Sequence, residues 1–458
     1  MKAKMNRRQM LATLGGFSAA ALTTALPAHA DDDAWQASPN PSRTKPSTES
    51  GTAPPALPVT GLRGRVVVVG GGMAGATVAK FLRLWGGAGV DVTLIEREAV
   101  YTSNILSNLV LNGNVAINSL YFDYAKLRAN YGVRVLQANV DAILPDQRKV
   151  RYTQNGVPGE ASYDRLVVAP GIDFDFPPGL TTAEAQLAVP HAWKAGAQTL
   201  TLRDQLRAMA PGGTFVLTIP PKPYRCPPGP YERACVVADW LKRNRPGSKV
   251  LVLDANPSIT AEAATFTQAF NVTYSGIVTY LPNADVVSVD AAAGNVYTTF
   301  GSAPYHGDVL NVIPPHRAGR ILAGTGLLND AAGRVAVVDV LSYESTAVGG
   351  VHVLGDAAAT TQPKAGHIAN QEAKVCADAI LRAFAGKAPD PSPVTNSACY
   401  SPISATSASW LTAVFAYDPA STTMVPVPAS SGEADGPSGD HYEDMFVWFD
   451  TLMKDSFA

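Results

Sequence analysis

The pattern of apolar and polar residues predicts a βαβ unit between residues 65 and 96. Four valines, Val66 to Val69, form a run that is typical of a strand buried on both faces. Glycines follow this run directly, and the apolar spacing from Ala76 to Arg83 predicts a helix. A second strand is predicted from Val90 to Ile95. Two strands joined by a helix are typical of a parallel sheet.

The glycines after the first strand have the spacing of a dinucleotide-binding turn, Gly70-x-Gly72-x-x-Gly75. Gly70 permits a tight turn, Gly72 lets a pyrophosphate approach the backbone, and Gly75 allows the helix to pack closely on the strand. The helix N-terminus offers free N–H groups to the phosphates. The second strand ends at Glu96, whose carboxylate can accept a hydrogen bond from a ribose hydroxyl. The unit therefore predicts a dinucleotide site.

Another apolar strand, predicted from Arg165 to Val168, ends in Ala169, Pro170 and Gly171. A small residue followed by Pro and Gly suits a chain that passes beside a bound FAD. An ordinary buried strand followed by a turn is the alternative. Ala169 and Gly171 are therefore candidate cofactor-binding residues.

Two late segments predict the rest of a flavin site. A strand predicted from Val351 to Leu354 runs into Gly355 and Asp356, where the carboxylate can accept a hydrogen bond from a ribityl chain. A helix predicted to begin near Gly366 can direct its positive N-terminus at the pyrimidine end of the flavin. For His367 we favour a structural cap over a role in proton transfer.

A second block, with strands predicted at residues 214–219 and 249–254, resembles the start of a nicotinamide-binding domain. The turn after its first strand is Pro220 to Pro223, however, and three of these four residues are prolines. Prolines lack the N–H groups that hold a pyrophosphate. The block is predicted to have a Rossmann-like fold without an NAD site.

The candidate catalytic residues lie on the loop that follows. Cys226 lies six residues before Glu232, which falls in or near the first turn of a helix predicted over residues 235–243. Arg225 and the helix N-terminus would both favour a thiolate, and Glu232 could move a proton to a substrate sulfur or a flavin nitrogen. The alternative is a loop cysteine before a capped helix, with Glu232 complementing the helix dipole.

Composition narrows the class of protein. The chain has 458 residues, enough for two or three domains, and 46% are hydrophobic, as in ordinary soluble enzymes. A formal net charge of −2 argues against a nucleic-acid partner, which would need a basic face. The four cysteines are too few for a fold built on disulfides, and none has the spacing of a metal site, so no metal is predicted.

The N-terminus predicts export. Residues 1–30 contain Arg7 and Arg8, a short apolar run and an Ala28-His29-Ala30 cleavage site, the pattern of a twin-arginine signal peptide. The run is too short and too rich in Gly, Ser and Thr for a stable membrane anchor. Residues 31–60 are predicted to be a disordered linker, and the mature protein is predicted to be periplasmic.

The motifs DRLVVAPG, CPPGPYERA, NVIPPHRAG and HVLGDA follow the glycine turn in this order. With them the chain resembles the flavoprotein subunit of flavocytochrome c sulfide dehydrogenase, a relative of the sulfide:quinone oxidoreductases. The resemblance implies an α/β fold with two Rossmann-like domains and a small C-terminal α+β interface domain. The FAD domain is predicted to be split into residues 61–175 and 306–385. A degenerate NAD-type domain (176–305) lies between these two segments, and the interface domain (386–458) follows them.

The resemblance also implies electron flow from sulfide through a cysteine pair and FAD to a c-type cytochrome subunit. Cys226 matches one redox cysteine, and Glu232 matches the acid near the flavin. The family's second redox cysteine follows a GL-x-ND-AG segment, but residues 334–337 contain none. The loop that carries a covalent cysteinyl flavin in some members, residues 101–108 here, also lacks cysteine. FAD is therefore expected to be bound non-covalently.

The sequence thus predicts a periplasmic FAD-dependent enzyme that oxidises sulfide or a related small sulfur compound and passes electrons to a cytochrome c, with one redox cysteine missing. Either Cys226 works alone or the site serves another substrate. One alternative is a quinone-reducing sulfide oxidoreductase. The other is a flavin electron-transfer or assembly subunit without its own sulfide oxidation.

Overall fold

The computed structural model describes residues 56–458. The predicted signal peptide lies outside this range, and so does the predicted linker apart from residues 56–60. Both stay predictions. The described residues form part of one compact unit.

The first domain is built around its first strand, which lies inside an eight-stranded sheet. Its elements are β1 (Gly64–Val69), α1 (Met73–Gly86), β2 (Val90–Glu96), β3 (Val100–Thr102), α2 (Leu109–Asn112), β4 (Tyr121–Asp123), α3 (Ala125–Tyr131), β5 (Arg134–Gln137), β6 (Asn139–Leu144), β7 (Lys149–Gln154), β8 (Val157–Ser162), β9 (Arg165–Val168) and β10 (Ile172–Phe174). Strand β1 pairs in parallel with β2 on one side and with β9 on the other. The valines of β1 are therefore buried on both faces, as their uninterrupted run predicts.

The second domain carries its own four-stranded parallel sheet, in the order β13-β12-β11-β17. Its elements are α4 (Ala183–Ala188), α5 (Ala197–Ala208), β11 (Thr214–Ile219), α6 (Gly229–Asn244), β12 (Lys249–Asp254), α7 (Ala263–Gln268), β13 (Val278–Leu281), β14 (Val286–Asp290), β15 (Asn295–Thr298), β16 (Tyr305–His306) and β17 (Val309–Val312). Strand β17 pairs with β11. Residues 309–312 therefore belong to the second sheet, whereas the predicted boundary assigns them to the FAD domain, because a buried strand gives no local sign of which sheet it joins.

The chain then returns to the first domain. Its elements there are β18 (His316–Ala318), β19 (Ala336–Asp339), β20 (Glu344–Ser345), β21 (Val351–Val353), β22 (Ala358–Ala359) and α8 (Gly366–Phe384). Strand β18 pairs antiparallel with β10, and β21 pairs in parallel with β9, which extends the first sheet. Helix α8 packs against α1. One sheet is thus assembled from two separate segments of sequence.

The C-terminal segment is an antiparallel sheet followed by a long helix. Its elements are β23 (Val394–Pro402), β24 (Ala408–Asp418), β25 (Thr423–Pro426), β26 (Gly432–Glu433) and α9 (Gly439–Phe457). Helix α9 ends against the first domain, where the Phe457 ring stacks on Tyr101 with 5.1 Å between centroids. Buried Lys80 of α1 donates hydrogen bonds to the carbonyl oxygens of Lys454, Asp455 and Ala458, which caps this helix.

Candidate active site

A cavity of about 320 Å³ lies at the carboxyl ends of the central strands of the first sheet. Its wall includes the residue after β1, the last residue of β2, and the residues after β9 and β21. Ligands bind in this position in open α/β sheets. The structure brings both predicted catalytic residues and all but Gly75 of the predicted cofactor-binding residues to this one wall: Cys226, Glu232, Gly70, Gly72, Glu96, Ala169, Gly171, Gly355, Asp356 and Gly366.

The glycine turn is packed too tightly for other residues at two positions. Gly70 has a φ of +95°, and a Cβ there would lie 2.3 Å from the carbonyl oxygen of Ala169. A Cβ at Gly75 would lie 1.7 Å from the carbonyl oxygen of Gly70. Gly75 therefore acts behind the cavity, where it lets α1 pack against the turn.

Gly72 has a different environment. A Cβ on Gly72 would have only Tyr101 within 4 Å, at 3.8 Å, so this side of the turn is open. Helix α1 begins at the next residue and directs its N-terminus there. Glu96 lies beside the turn, where it accepts hydrogen bonds from the N–H groups of Gly71 (2.6 Å) and Glu98 (2.9 Å). Open backbone, a helix N-terminus and a carboxylate together fit the phosphates and ribose of a dinucleotide.

The opposite side of the wall comes from the second segment of the domain. Gly355, with a φ of +69°, lies where α1 and α8 converge, since its Cβ would meet Ala369 at 3.5 Å and Ala74 at 3.7 Å. Helix α8 begins at Gly366, so its positive end faces the cavity as predicted. This donor set fits FAD: the turn and Glu96 would hold the ADP half, and Asp356 with the α8 N-terminus would hold the flavin half.

The Cys226 loop is fixed by three hydrogen bonds. The Cys226 N–H donates to the carbonyl oxygen of Lys364 (2.7 Å), and the Arg225 N–H donates to Nδ1 of His316 (2.9 Å). The indole N–H of Trp193 donates to the carbonyl oxygen of Arg225 (3.3 Å). Cys226 itself has a φ of +58°, a left-handed conformation that non-glycine residues rarely adopt. The cysteine is therefore held in one position on the cavity wall.

The surroundings of Cys226 oppose the expected thiolate. Burial raises the pKa of the Cys226 thiol well above its ordinary value, and the nearby Glu232 carboxyl raises it further. Arg225 lowers this pKa, but by less than burial raises it, and the guanidinium also forms an ion pair with Asp356 at 3.7 Å. The resting group at neutral pH is a thiol, because the loop is enclosed by segments that sequence spacing does not reveal.

Glu232 lies in the first turn of α6, as predicted, and is buried. Its Oε1 accepts a hydrogen bond from the side-chain amide of Asn108 (2.8 Å). Burial raises the pKa of Glu232 to about 8, only partly opposed by Asn108. A carboxyl group with a pKa near neutral can accept a proton from the neighbouring thiol and return it. A glutamate that only complemented the helix dipole would not need a raised pKa.

The sequence did not point to the residues that support Glu232. Arg233 is fully buried, and its guanidinium donates to the side-chain oxygens of Asn108 and Asn311 (both 2.8 Å) and to the carbonyl oxygens of His191 and Ala192. It also lies 4.6 Å from the Trp193 ring. Arg233 thus joins the two Rossmann-like domains behind Glu232. The one available signal was Asn311, a polar residue inside an otherwise apolar strand.

His367 has a structural role, in agreement with the favoured interpretation. Its Nδ1 accepts a hydrogen bond from the Ala398 N–H (3.0 Å), which joins the start of α8 to β23. Burial lowers the pKa of His367 to about 4, so the ring is neutral at physiological pH. A neutral ring whose Nδ1 accepts a backbone hydrogen bond is a poor candidate for acid catalysis.

Cys399 of β23 also lies on the cavity wall, and nothing in the local sequence pattern indicated it. The segment 334–337, where the resemblance leads one to expect a second cysteine, is not part of this wall. The C-terminal segment further contributes Tyr400 and Trp448. The cavity is therefore bounded by both Rossmann-like domains and by the C-terminal segment.

Two family models match the chain. Residues 199–314 match the central part of the sulfide dehydrogenase (flavocytochrome c) flavoprotein chain, and residues 64–205 match the pyridine nucleotide-disulphide oxidoreductases. The first match covers the Cys226 loop, and the second covers the glycine turn of the dinucleotide-binding domain. The resemblance to flavocytochrome c sulfide dehydrogenase is confirmed, and a flavin cofactor follows from it.

Solved structures show the same fold. The sulfide:quinone oxidoreductase from Aquifex aeolicus aligns with a TM-score of 0.66 at 16% identity, over 85% of this chain and 92% of that one. An NAD-dependent persulfide reductase from A. fulgidus aligns with a TM-score of 0.57 at 16% identity, over 85% and 77%. A ferredoxin reductase from Rhodopseudomonas palustris aligns with a TM-score of 0.56 at 18% identity, over 78% and 88%. The predicted α/β fold with two Rossmann-like domains is confirmed.

Proposed function

With the family resemblance confirmed, we propose that this flavoprotein is a periplasmic dehydrogenase that oxidises sulfide or a related small sulfur compound. Its electrons pass from non-covalently bound FAD to a c-type cytochrome subunit. The observation that carries the proposal is that Cys226 and Glu232 lie on the same cavity wall as the dinucleotide-binding turn. A substrate sulfur at Cys226 would therefore lie beside a bound flavin.

The chain's own residues supply the binding and proton chemistry. FAD, when bound, supplies a two-electron acceptor. Burial favours the protonated thiol of Cys226, so its reaction with a substrate sulfur requires a base. Glu232 is the titratable carboxyl group beside it, and its ionised form, whose share increases as the pH approaches 8, can accept that proton. Two hydrogen bonds hold the loop in place while the proton moves: one from the Cys226 N–H to the carbonyl oxygen of Lys364, and one from the Arg225 N–H to His316.

The proposed partners rest on several arguments. The matched family model names a flavocytochrome c, which supports a cytochrome subunit as acceptor. The twin-arginine pattern in residues 1–30 supports periplasmic location and export in the folded state. Non-covalent FAD is supported by residues 101–108, which contain no cysteine.

A quinone is the second candidate acceptor, because the sulfide:quinone oxidoreductase fold aligns over most of this chain. Between residues 56 and 458, no helix combines the length and apolarity that crossing a bilayer requires. The two candidate acceptors can be distinguished by which compound becomes reduced. Purified protein with sulfide would reduce a soluble cytochrome c in one case and a short-chain quinone in the other.

Anaerobic flavin spectra test the proposal directly. Sulfide added to the FAD-loaded protein should bleach the flavin band, and adding cytochrome c should restore it. Cys226→Ser should abolish the bleaching, whereas Cys376→Ala should retain it, because Cys376 is buried in α8 and does not line the cavity. An unbleached flavin across sulfide, polysulfide and thiosulfate would instead favour an electron-transfer or assembly subunit.

A further inference from the structure

Asn108 is a cavity residue whose side chain does not serve its own helix. It lies on the cavity wall and directly precedes α2, where an asparagine side chain commonly accepts a hydrogen bond from the first N–H groups of the helix. Within residues 56–458, the Asn108 side chain makes no such bond. Its hydrogen bonds go instead to residues of α6, which belongs to the second domain.

Arg233 fixes the orientation of the Asn108 amide. The Arg233 Nε–H donates to Oδ1 of Asn108 (2.8 Å). An arginine side chain has only donors, so the amide atom that faces it must be the oxygen. The amide nitrogen therefore faces the other way, where it donates to Oε1 of Glu232 (2.8 Å) and to the carbonyl oxygen of Gly229 (3.1 Å). The amide oxygen and both of its N–H bonds are thus engaged.

Arg233 is itself held by residues other than Asn108. Its guanidinium donates to the carbonyl oxygens of His191 (2.9 Å) and Ala192 (2.7 Å) and to the side-chain oxygen of Asn311 (2.8 Å). It also lies 4.6 Å from the centre of the Trp193 ring. Because all these partners belong to the second domain, the position of Arg233 does not depend on the amide that it orients.

The hydrogen bond from Asn108 acts on one oxygen of the Glu232 carboxyl group. Since the amide N–H occupies Oε1, the proton of the neutral acid belongs on Oε2. The same bond favours the ionised form, because it lowers the pKa of Glu232 against the larger increase that burial causes. Without the bond, Glu232 would keep its proton to higher pH and would be ionised less often near neutral pH.

We propose that Asn108 is a positioning residue for Glu232: Arg233 fixes its amide, the amide holds Oε1, and Oε2 exchanges the proton with Cys226. In this step the S–H bond of the thiol breaks and its electron pair stays on the sulfur. A lone pair of Oε2 forms the new O–H bond. The role of Glu232 as the base comes from the proposed function, on which this inference rests.

Other titratable groups also act on Glu232 or are affected by it. They are Arg233 and Cys235 of its own helix, Cys226 of the preceding loop, Glu262 before α7 and Cys399 of β23. A substitution at Asn108 leaves all of them in the chain. A changed titration of Glu232 in such a variant therefore reports the change at residue 108.

Asn108→Asp separates positioning from folding. The introduced carboxylate keeps an acceptor for Arg233, so the fold should be retained, but it offers no N–H to Oε1 and places a negative charge beside it. Infrared titration of the full-length protein with isotopically labelled glutamate follows the carboxylic C=O band that Glu232→Gln removes. The midpoint of this band should rise by at least about one pH unit in Asn108→Asp. An unchanged midpoint would overturn the positioning role.

Two further variants complete this test. Asn108→Leu removes the donor without adding a charge and should also raise the midpoint, so it serves if Asn108→Asp does not fold. Asn112→Leu changes another buried asparagine, at the end of α2, which does not line the cavity, and should keep the midpoint of the parent. A rise in Asn112→Leu as large as that in Asn108→Asp would show a general effect of packing and would overturn the proposal.

Sulfide-dependent bleaching of the flavin separates this inference from the proposed function. At pH 7, Asn108→Asp should bleach about tenfold more slowly than the parent, and the difference should narrow at higher pH as more Glu232 ionises. Equal slowing at every pH would overturn the positioning role. If the parent does not bleach although the infrared midpoint shifts, the proposed function fails and the control of Glu232 by Asn108 stands. If the parent bleaches and the midpoint does not shift, the reverse holds.

Discussion

The backbone N–H of Cys226 donates a 2.7 Å hydrogen bond to the carbonyl oxygen of Lys364, two residues before α8 begins. The left-handed backbone of Cys226 costs about 1 kcal/mol relative to an ordinary conformation, so surrounding contacts must hold it. The same bond joins the cysteine loop to the helix whose N-terminus faces the cavity. The position of the thiol and the position of this helix are therefore mechanically linked.

His316 fixes the other side of the cysteine loop. We expect His316→Leu to leave the Arg225 N–H without its acceptor and to lower the free energy of unfolding by about 1–3 kcal/mol. His316→Asn keeps an acceptor atom near the same place and should recover most of the loss. Denaturant unfolding measures the energy, and the alkylation rate of Cys226 reports the loop position. Equal effects of the two variants on both readouts would contradict this positioning role.

Two glycine substitutions should separate cofactor binding from folding. Gly72→Ala places a methyl group in open space, with Tyr101 3.8 Å away. The free energy of unfolding should therefore change by less than about 0.5 kcal/mol. The methyl group occupies the space for the pyrophosphate, however, and should weaken FAD binding at least about tenfold, or about 1.4 kcal/mol.

Gly75→Ala is the contrasting variant, because its methyl group would collide with the carbonyl oxygen of Gly70. It should lower both FAD content and the stability of the flavin-free protein. The flavin-to-protein ratio and denaturant unfolding measure the two properties. Normal flavin content in Gly72→Ala would refute the placement of the phosphates at this turn.

The stability of the flavin-free protein should depend on Glu232 through pH. Burial raises the pKa of Glu232 to about 8, whereas the ordinary value is 4.5. The folded state keeps a proton that the unfolded state has lost, so stability falls as pH rises between these values. Buried histidines oppose this trend only below their ordinary pKa of 6.5, as for His367, whose pKa burial lowers to about 4.

The free energy of unfolding should therefore fall from pH 6.5 to pH 8, and Glu232→Gln should remove about 1.4 kcal/mol of that fall per pH unit. Burial also raises the pKa of Glu372 to about 8, so part of the decrease in unfolding free energy with pH should remain in the variant. Urea unfolding across this range provides the measurement. An unchanged slope in Glu232→Gln would show that Glu232 is ionised throughout.

Lys80 should determine how firmly α9 is held. Lys80→Met removes the donor for three carbonyl oxygens at the end of the helix and should lower the free energy of unfolding by about 2–4 kcal/mol. Lys454→Met, at an exposed position on the same helix, should cost less than about 1 kcal/mol. Hydrogen exchange should accelerate in the last turn of α9 only in Lys80→Met; protection equal to the parent would contradict the cap.

Features encoded by neighbouring residues could be predicted from the sequence. The valine run of β1 and the glycine turn follow from local spacing, whereas the split of the dinucleotide domain follows from the family resemblance; the structure has all three. Helix α6 begins six residues earlier than predicted, at Gly229, because Pro230 fits the first turn of a helix. Strand β17 joins the second sheet rather than the first, since two buried parallel strands look alike in sequence.

The electrostatics of the site could not be predicted in the same way. Arg225 next to Cys226 suggested a thiolate, but the pKa of Cys226 is governed by burial, which depends on residues distant in sequence. Asn108 and Cys399 reach the cavity from the first and last thirds of the chain. Such contacts follow from tertiary packing, which no local periodicity encodes.

The pairing of β10 with β18 also has a consequence for how this architecture can vary. Ile172 lies opposite Ala318, so the chain leaves the first domain and re-enters it at adjacent points. Everything between these points forms an insertion whose two ends already meet. Such an insertion can change in length or sequence while the first domain keeps its sheet and its glycine turn.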